Sequence, residues 1–393
     1  MPGVKAVTEQ IYCADCLEVL PTLKEQSVDL ICLDPPFFTQ KIQQLSKNER
    51  WYEFSDIWAS RGQYLDYLRV RLELMRPLLK QSGSIFLHCS SSASAHIKLL
   101  MDQIFGEENF RSEIIWTYRR WSNAARGLLP AHQTIFFYSK NAADFKFNPI
   151  YCAYSPATNL DQIQQQRERV NGRAVYKKDA DGQVVQASEK KGVPLSDVWE
   201  IPFLNPRAKE RTGYPTQKPV ELLERIIRLS TDEGDVVLDP FMGSGTTLVG
   251  ARLLQRSCIG IDQSAAACEL ARQRLAAPFK SSSALLQKGS GAFCTKSEEV
   301  LSQLRGLKCD VVQRNKGIDA FLRQHYQGRP VPVKVQSPEE TADEALLFLQ
   351  QAAAKRSCLK AVLIVRELPA QPVPEHILLI PSTALQLGQQ LGQ

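Results

Sequence analysis

A chain of 393 residues is long enough for two or three domains, and 44% hydrophobic with 23% charged residues is an ordinary soluble composition. It has neither an 18-residue apolar run nor an N-terminal charged-then-apolar signal, which argues against a membrane-spanning or exported protein. The formal net charge of +6 is mildly basic; it permits a nucleic-acid partner without requiring one. The 10 cysteines are scattered, with Cys32, Cys89, Cys258 and Cys309 in apolar runs. They read as reduced, buried thiols in a cytoplasm. Cys13 and Cys16 form one C-x-x-C with no second pair, so no metal site is expected.

The chain opens with a short strand and a helical turn around Asp15. Residues 28–33 (VDLICL) read as a buried strand, stopped by Asp34-Pro35-Pro36-Phe37. In an open α/β sheet, ligands sit at the carboxyl ends of strands, which is where this tetrad falls. Alone, it reads sooner as a proline turn capping the strand, with Phe37 in the core. Residues 38–60 are polar and aromatic without a clean period, and read as a mobile loop. Residues 64–79 are apolar at helical spacing and carry Arg69, Arg71 and Arg76. Residues 83–88 read as a strand ending at His88, a ligand contact or a core histidine. A helix over 95–105 and strands over 114–116 and 134–138 follow, with Tyr118-Arg119-Arg120-Trp121-Ser122-Asn123 between those strands.

Residues 140–212 change character: polar residues dominate. Basic clusters stand at Arg167/Arg169/Arg173, Lys177/Lys178, Lys190/Lys191 and Arg207/Lys209/Arg211. The segment reads as an insertion, either simply solvated or facing phosphates. Gly213-Tyr214-Pro215-Thr216-Gln217-Lys218-Pro219 then leads into a helix over 220–229. Thr216, Lys218 and the helix N-terminus suit a carboxylate.

Residues 236–238 form a short apolar strand that ends at Asp239-Pro240-Phe241-Met242-Gly243-Ser244-Gly245-Thr246-Thr247. A second strand, 258–261, ends at Asp262, 19 residues after Gly243. Strand, glycine turn, helix, strand and then an acid is the layout of a nucleotide-type site, the acid taking a ribose hydroxyl pair. The third glycine of a pyrophosphate-binding turn is missing, so an adenosyl ligand without phosphates fits better.

Residues 281–293 read as a Ser/Gly-rich linker, 294–380 as a small α/β domain, and 381–393 as a frayed tail. In the small domain, strands are expected at 310–312, 331–335 and 361–365, and a helix at 339–354.

The two turns together resemble those of the β-class DNA amino-methyltransferases, in which the tetrad precedes the cofactor turn. Companion segments are Asp15 with Ser27-Val28-Asp29-Leu30, Leu78-Leu79-Lys80-Gln81-Ser82-Gly83-Ser84, Phe105-Gly106-Glu107-Glu108-Asn109-Phe110, and Tyr214 to Pro219. The resemblance covers residues 10–278. It implies a Rossmann-like S-adenosylmethionine-dependent methyltransferase fold, with a mixed, mostly parallel sheet over 1–280 and a target-recognition insertion at about 140–212. It further implies a sequence-specific enzyme that methylates the exocyclic amine of a flipped-out base in double-stranded DNA.

By that resemblance Asp34, Pro35, Pro36 and Phe37 are catalytic. Asp262 binds the ribose and Asp15 lies near the adenine or ribose edge. Asp239, Phe241, Gly243 and Gly245 shape the pocket, and Thr216, Lys218, Ser244 and Thr246 surround the methionine moiety, Lys218 reading equally as a surface cation near DNA. Asp-Pro-Pro-aromatic is typical of adenine-N6 enzymes, with cytosine N4 as the alternative. Two features depart from the family: Phe37 stands where tyrosine is commoner, and His132-Gln133 stands where the family has His-Glu or His-Asp. Neither His132 nor Gln133 receives a role. In the small domain, Gly317-Ile318-Asp319 and a strand with Lys334 and Gln336 faintly resemble restriction-endonuclease-like folds. Pro332 stands where such nucleases need an acid, so a non-cutting accessory unit is expected over a fused nuclease. A DNA-binding module that has lost catalysis is the remaining alternative. A cytoplasmic, nucleoid-associated location follows from DNA as partner; a homodimer and a cognate restriction enzyme are left open.

Overall fold

The computed structural model describes residues 7–47, 50–118, 127–153, 165–185, 191–205, 208–282 and 294–391. The chain divides into two units, Met1–Ser282 and Ser283–Gln393.

In chain order the first unit contains β1 (Glu9–Cys13), α1 (Cys16–Val19), β2 (Val28–Leu33), β3 (Lys41–Lys47), β4 (Arg50–Asp56), α2 (Arg61–Leu78), β5 (Leu79–Cys89) and α3 (Ser94–Phe105). It continues with β6 (Phe110–Thr117), β7 (His132–Ser139), β8 (Tyr151–Cys152), β9 (Arg167–Val170), β10 (Arg173–Tyr176), β11 (Val193–Pro194) and β12 (Val198–Glu200). It ends with α4 (Val220–Ser230), β13 (Val236–Asp239), α5 (Thr246–Leu253), β14 (Ser257–Asp262) and α6 (Ala265–Ala276).

Eight strands form one sheet in the order β1-β14-β13-β2-β5-β7-β6-β12. Only β7 runs against the rest, antiparallel to β5 and β6; the other neighbouring pairs are parallel. This is the mixed, mostly parallel sheet expected. All six residues of β2 are buried, as in a parallel strand covered on both faces. On α2, Tyr64, Leu68, Leu72 and Met75 recur at steps of three and four and are fully buried. Each such side chain contributes about 1.5–3 kcal/mol of burial. Because β1, β2, β5, β13 and β14 share one direction, their carboxyl ends, carrying Asp15, Asp34, His88, Asp239 and Asp262, lie along one edge of the sheet.

Residues 38–60, expected as a loop, contain the β3–β4 hairpin, paired from Lys41↔Asp56 to Lys47↔Arg50. The 140–212 segment is not wholly separate from the sheet. Phe147 stacks near Phe137, with ring centroids 6.5 Å apart, and Asn148 Nδ2 donates to the Thr231 carbonyl at 3.0 Å. Later, β12 pairs with β6 and buries Trp199. Between these anchors lie the small pairs β8–β11 and β9–β10, the latter exposed along its length. Residues 119–123, Lys190, Arg207 and 283–293 lie outside the described residues.

The second unit contains α7 (Glu298–Leu304), β15 (Cys309–Val311), β16 (Ala320–Tyr326), β17 (Arg329–Val335), α8 (Ala342–Ala354), β18 (Ala361–Val365), β19 (Ile377–Pro381) and α9 (Thr383–Leu391). Its sheet runs β15-β16-β17-β18-β19, antiparallel up to β17 and parallel beyond. The expected frayed tail is instead a helix from Thr383, continuing directly from the last strand. No helix among the described residues is long and apolar enough to cross a membrane.

Candidate active site

The two prolines end β2 and turn the chain out at the sheet's edge, leaving Asp34 at the strand's mouth. The Tyr64 hydroxyl donates to the Pro36 carbonyl at 2.7 Å, and Ser90 Oγ donates to the Phe37 carbonyl at 3.0 Å. Phe37 meets His88 edge-on with ring centroids 5.0 Å apart. Lys218 Nζ donates to Asp34 Oδ2 and, at 3.2 Å, to the Thr216 carbonyl. Thr216 has φ of 59°, a left-handed conformation that a β-branched residue adopts under strain. His88 Nδ1 lies 2.9 Å from Asp34 Oδ1, which has no well-aligned hydrogen-bond donor.

Burial alone would raise the Asp34 pKa; the Lys218 charge and then His88 outweigh it and hold the carboxyl at about 2. Burial lowers the His88 pKa against the pull of Asp34, favouring the neutral ring. An ionised carboxylate, a lysine and a neutral imidazole thus meet beside one aromatic ring.

The second turn follows β13. The Phe241 amide donates to Asp239 Oδ1 at 3.0 Å and the Gly243 amide to Asp262 Oδ2 at 3.0 Å. The Ser264 amide donates to Asp262 Oδ1 at 2.8 Å. Burial raises the pKa of both acids, that of Asp239 to about 7. Gly245 precedes α5 with φ of 74°, and a Cβ there would lie 2.7 Å from the Ala271 Cβ and 3.1 Å from its Cα. Gly245→Ala combines backbone strain with overpacking and should cost about 2–4 kcal/mol. Urea unfolding tests this; a midpoint equal to wild type would contradict the packing.

The Asp15 carboxylate caps α1 through the Leu17 amide and pairs with Arg71 at 3.2 Å. Asp15 and Asp262 line a cavity of about 400 Å³ walled by Trp58, Tyr67, Phe241 and Tyr214. A smaller cavity of about 80 Å³ is lined by Thr216, Lys218, Asp239, Gly243, Ser244 and Thr246. Asp34, Phe54, Tyr214 and Phe241 line both, and Pro36 lines the larger. Among the expected site residues, Pro35, Phe37 and Gly245 line neither cavity; Pro35 and Phe37 belong to the Asp34 turn, and Gly245 packs against Ala271 behind the second turn.

Several contributors escape sequence reasoning. Arg274 Nη1 donates to the Ser244 carbonyl at 2.8 Å and to Thr246 Oγ1 at 2.9 Å, bracing the turn from α6. Trp58 and Tyr67 supply aromatic walls without belonging to a motif. Tyr214 stands within a quoted motif, and its position there was its signal.

Residues 28–273 match the model of the N6/N4 DNA methylase family. The Type II methyltransferase M.HpaI of Haemophilus parainfluenzae is 31% identical over 271 residues, 69% of this chain and 75% of that protein. M.BamHI of Bacillus amyloliquefaciens is 29% identical over 266 residues, 68% of this chain and 56% of that protein. Among solved structures, the M1.HpyAVI–SAM complex is 24% identical with a TM-score of 0.44, covering 68% of this chain and 99% of that one. The chain belongs to the N6/N4 DNA methylase family: it is a DNA methyltransferase that uses S-adenosylmethionine. The cavity residues fit that cofactor. Two acids and an aromatic wall suit an adenosyl group, and Lys218 beside the glycine turn suits an amino-acid end. When bound, the cofactor supplies an electrophilic methyl group.

Proposed function

We propose that the first unit methylates the exocyclic amine of a flipped-out base in double-stranded DNA at a specific sequence, the base being adenine and the amine N6. The observation that carries this is that Asp34 lines both cavities, together with Phe241 of the glycine turn.

An exocyclic amine is a poor nucleophile because its lone pair is delocalised into the ring. An ionised Asp34 accepts one amine N–H and the Pro35 carbonyl accepts the other. The nitrogen then moves toward tetrahedral geometry and its lone pair is freed. The freed lone pair would take the methyl group that bound S-adenosylmethionine supplies, and Asp34 would accept the proton that the nitrogen then loses. Positioning and electrostatics carry the rate, with no covalent enzyme intermediate. Phe37 stacks on the base, which cannot react inside a duplex. Asp262 takes the ribose hydroxyls, Asp15 the neighbouring edge, and Thr216, Lys218, Ser244 and Thr246 the methionine end. Asp239, Phe241, Gly243 and Gly245 shape the pocket between. The exposed Arg167, Arg169 and Arg173 of the β9–β10 hairpin, with Lys177 and Lys178, face DNA phosphates.

Adenine is favoured over cytosine N4 by the Asp-Pro-Pro-Phe tetrad. The test is transfer of labelled methyl groups from S-adenosylmethionine to unmodified DNA, followed by digestion to nucleosides. Label in N6-methyl-2′-deoxyadenosine supports the proposal, label in N4-methyl-2′-deoxycytidine corrects the base, and no transfer sinks it. The second unit is proposed as a non-cutting accessory domain. The Asp319 carboxylate is held by Lys296, by the Val335 amide at 2.7 Å and by Lys334 at 3.6 Å, and Pro332 replaces the needed acid.

A further inference from the structure

Asp56 belongs to no motif quoted above, yet it is 1% exposed at the end of β4. Its carboxylate accepts from the backbone amides of Phe37 at 3.2 Å, Phe38 at 2.9 Å and Thr39 at 2.8 Å. It also accepts from Thr39 Oγ1 at 2.5 Å and from the Trp58 indole at 2.9 Å. Three successive amides converging on one anion form a nest. The left-handed φ of 59° at Phe38 is the bend that aims them together.

The donors belong to two different parts of the site. Phe37 is the ring of the tetrad; Trp58 lines the larger cavity and packs on Tyr67 with ring centroids 4.9 Å apart. The hairpin itself does not need this carboxylate. Its strands are paired along seven registered positions, and Gln40 closes its base by accepting from the Trp58 amide at 2.7 Å and donating to the Trp58 carbonyl at 2.8 Å. A buried carboxylate that duplicates a closure already made, and reaches both the tetrad turn and the Trp58 indole, does more than hold a hairpin.

We infer that Asp56 is a positioning residue that sets the base-stacking Phe37 and the cofactor-facing Trp58 together, so that filling the cofactor cavity orders the base site. This rests on the reading of the two cavities given under the proposed function. Asparagine is the sharp variant: its NH₂ group would face converging N–H donors, and it lacks the charge that holds them.

The experiment compares Asp56→Asn with wild type in the full chain. Calorimetry with S-adenosylhomocysteine gives cofactor-site affinity, and labelled S-adenosylmethionine with unmodified DNA gives kcat. Hydrogen exchange follows the amides of residues 37–39. In wild type, S-adenosylhomocysteine slows exchange at those amides; in Asp56→Asn they exchange fast with or without it, while β2, β5 and β13 exchange as in wild type. At saturating cofactor, kcat falls roughly 30- to 100-fold, as expected for a displaced stacking ring, and the dissociation constant rises roughly 10-fold as the indole loosens. A folded Asp56→Asn whose kcat stays within about 3-fold of wild type, or whose amides 37–39 are still slowed, overturns the inference. If Asp56→Asn does not fold, Thr39→Val carries the test by removing one donor. A fall in kcat of roughly 3- to 10-fold supports the inference and no fall overturns it. A wild type that transfers no methyl group overturns the reading of the site instead.

Discussion

Asp34→Asn lowers kcat for methyl transfer by about 1,000-fold, the loss typical of removing a charge-stabilising group aimed at the reacting centre. Binding of S-adenosylhomocysteine survives, because Lys218, released from its ion pair, still faces the smaller cavity. The asparagine keeps the shape of the turn and one acceptor oxygen but loses the charge. Single-turnover transfer with cofactor and DNA both saturating separates chemistry from binding, and a rate near wild type would show that Asp34 only caps β2. The pH profile gives a second signature. The Asp34 carboxyl sits at about 2, below its ordinary 3.8, because Lys218 and His88 outweigh its burial. It stays ionised above pH 4, so its protonation produces no acid limb there. The stability it contributes is present above 3.8 and lost only as pH falls through about 2.

Asp239 behaves in the opposite way. Burial raises its carboxyl from 3.8 to about 7, against the hydrogen bonds from Thr247 and Phe241, and the nearby charges of Asp34 and Asp262 add to the rise. The folded protein therefore holds a proton there that the unfolded chain releases near pH 4. The resulting stability is fully present below 3.8 and disappears as pH rises through about 7, a loss on the order of a few kcal/mol. Unfolding of cofactor-free protein at pH 5 and pH 8 should show this fall in wild type and much less of it in Asp239→Asn. A sulfonium beside Asp239 favours the ionised acid, so S-adenosylmethionine affinity rises between pH 5 and 7 with proton release. S-adenosylhomocysteine, without that charge, shows a weaker rise. Equal pH dependence for the two ligands would refute the placement of Asp239.

What could be read in advance followed from strong local signals. Apolar runs at β2 and β13, each broken by an Asp-Pro step, mark buried parallel strands and their carboxyl ends. That Asp34 and Asp262 share a cavity across more than 200 residues of sequence was legible only through the family resemblance. The β3–β4 hairpin was missed because Lys41–Lys47 and Arg50–Asp56 carry no clean alternation, and its turn has no Asn-Gly or Asp-Gly step. β12, three residues long, is too short for any periodic signal. β16 was missed because most of it is exposed and polar. Asp56 and Arg274 bind backbone atoms of turns elsewhere in the chain as well as side chains, and a backbone partner leaves no pattern in residue type.

Methylation of an exocyclic amine in DNA through Asp34 is tested by modification-sensitive sequencing of DNA from a methylation-free host that expresses either wild type or Asp34→Ala. N6-methyladenine is expected at one recurring sequence with wild type, and unmodified DNA with the variant. No modified amine with wild type, or the same modification with both proteins, would refute that role of Asp34.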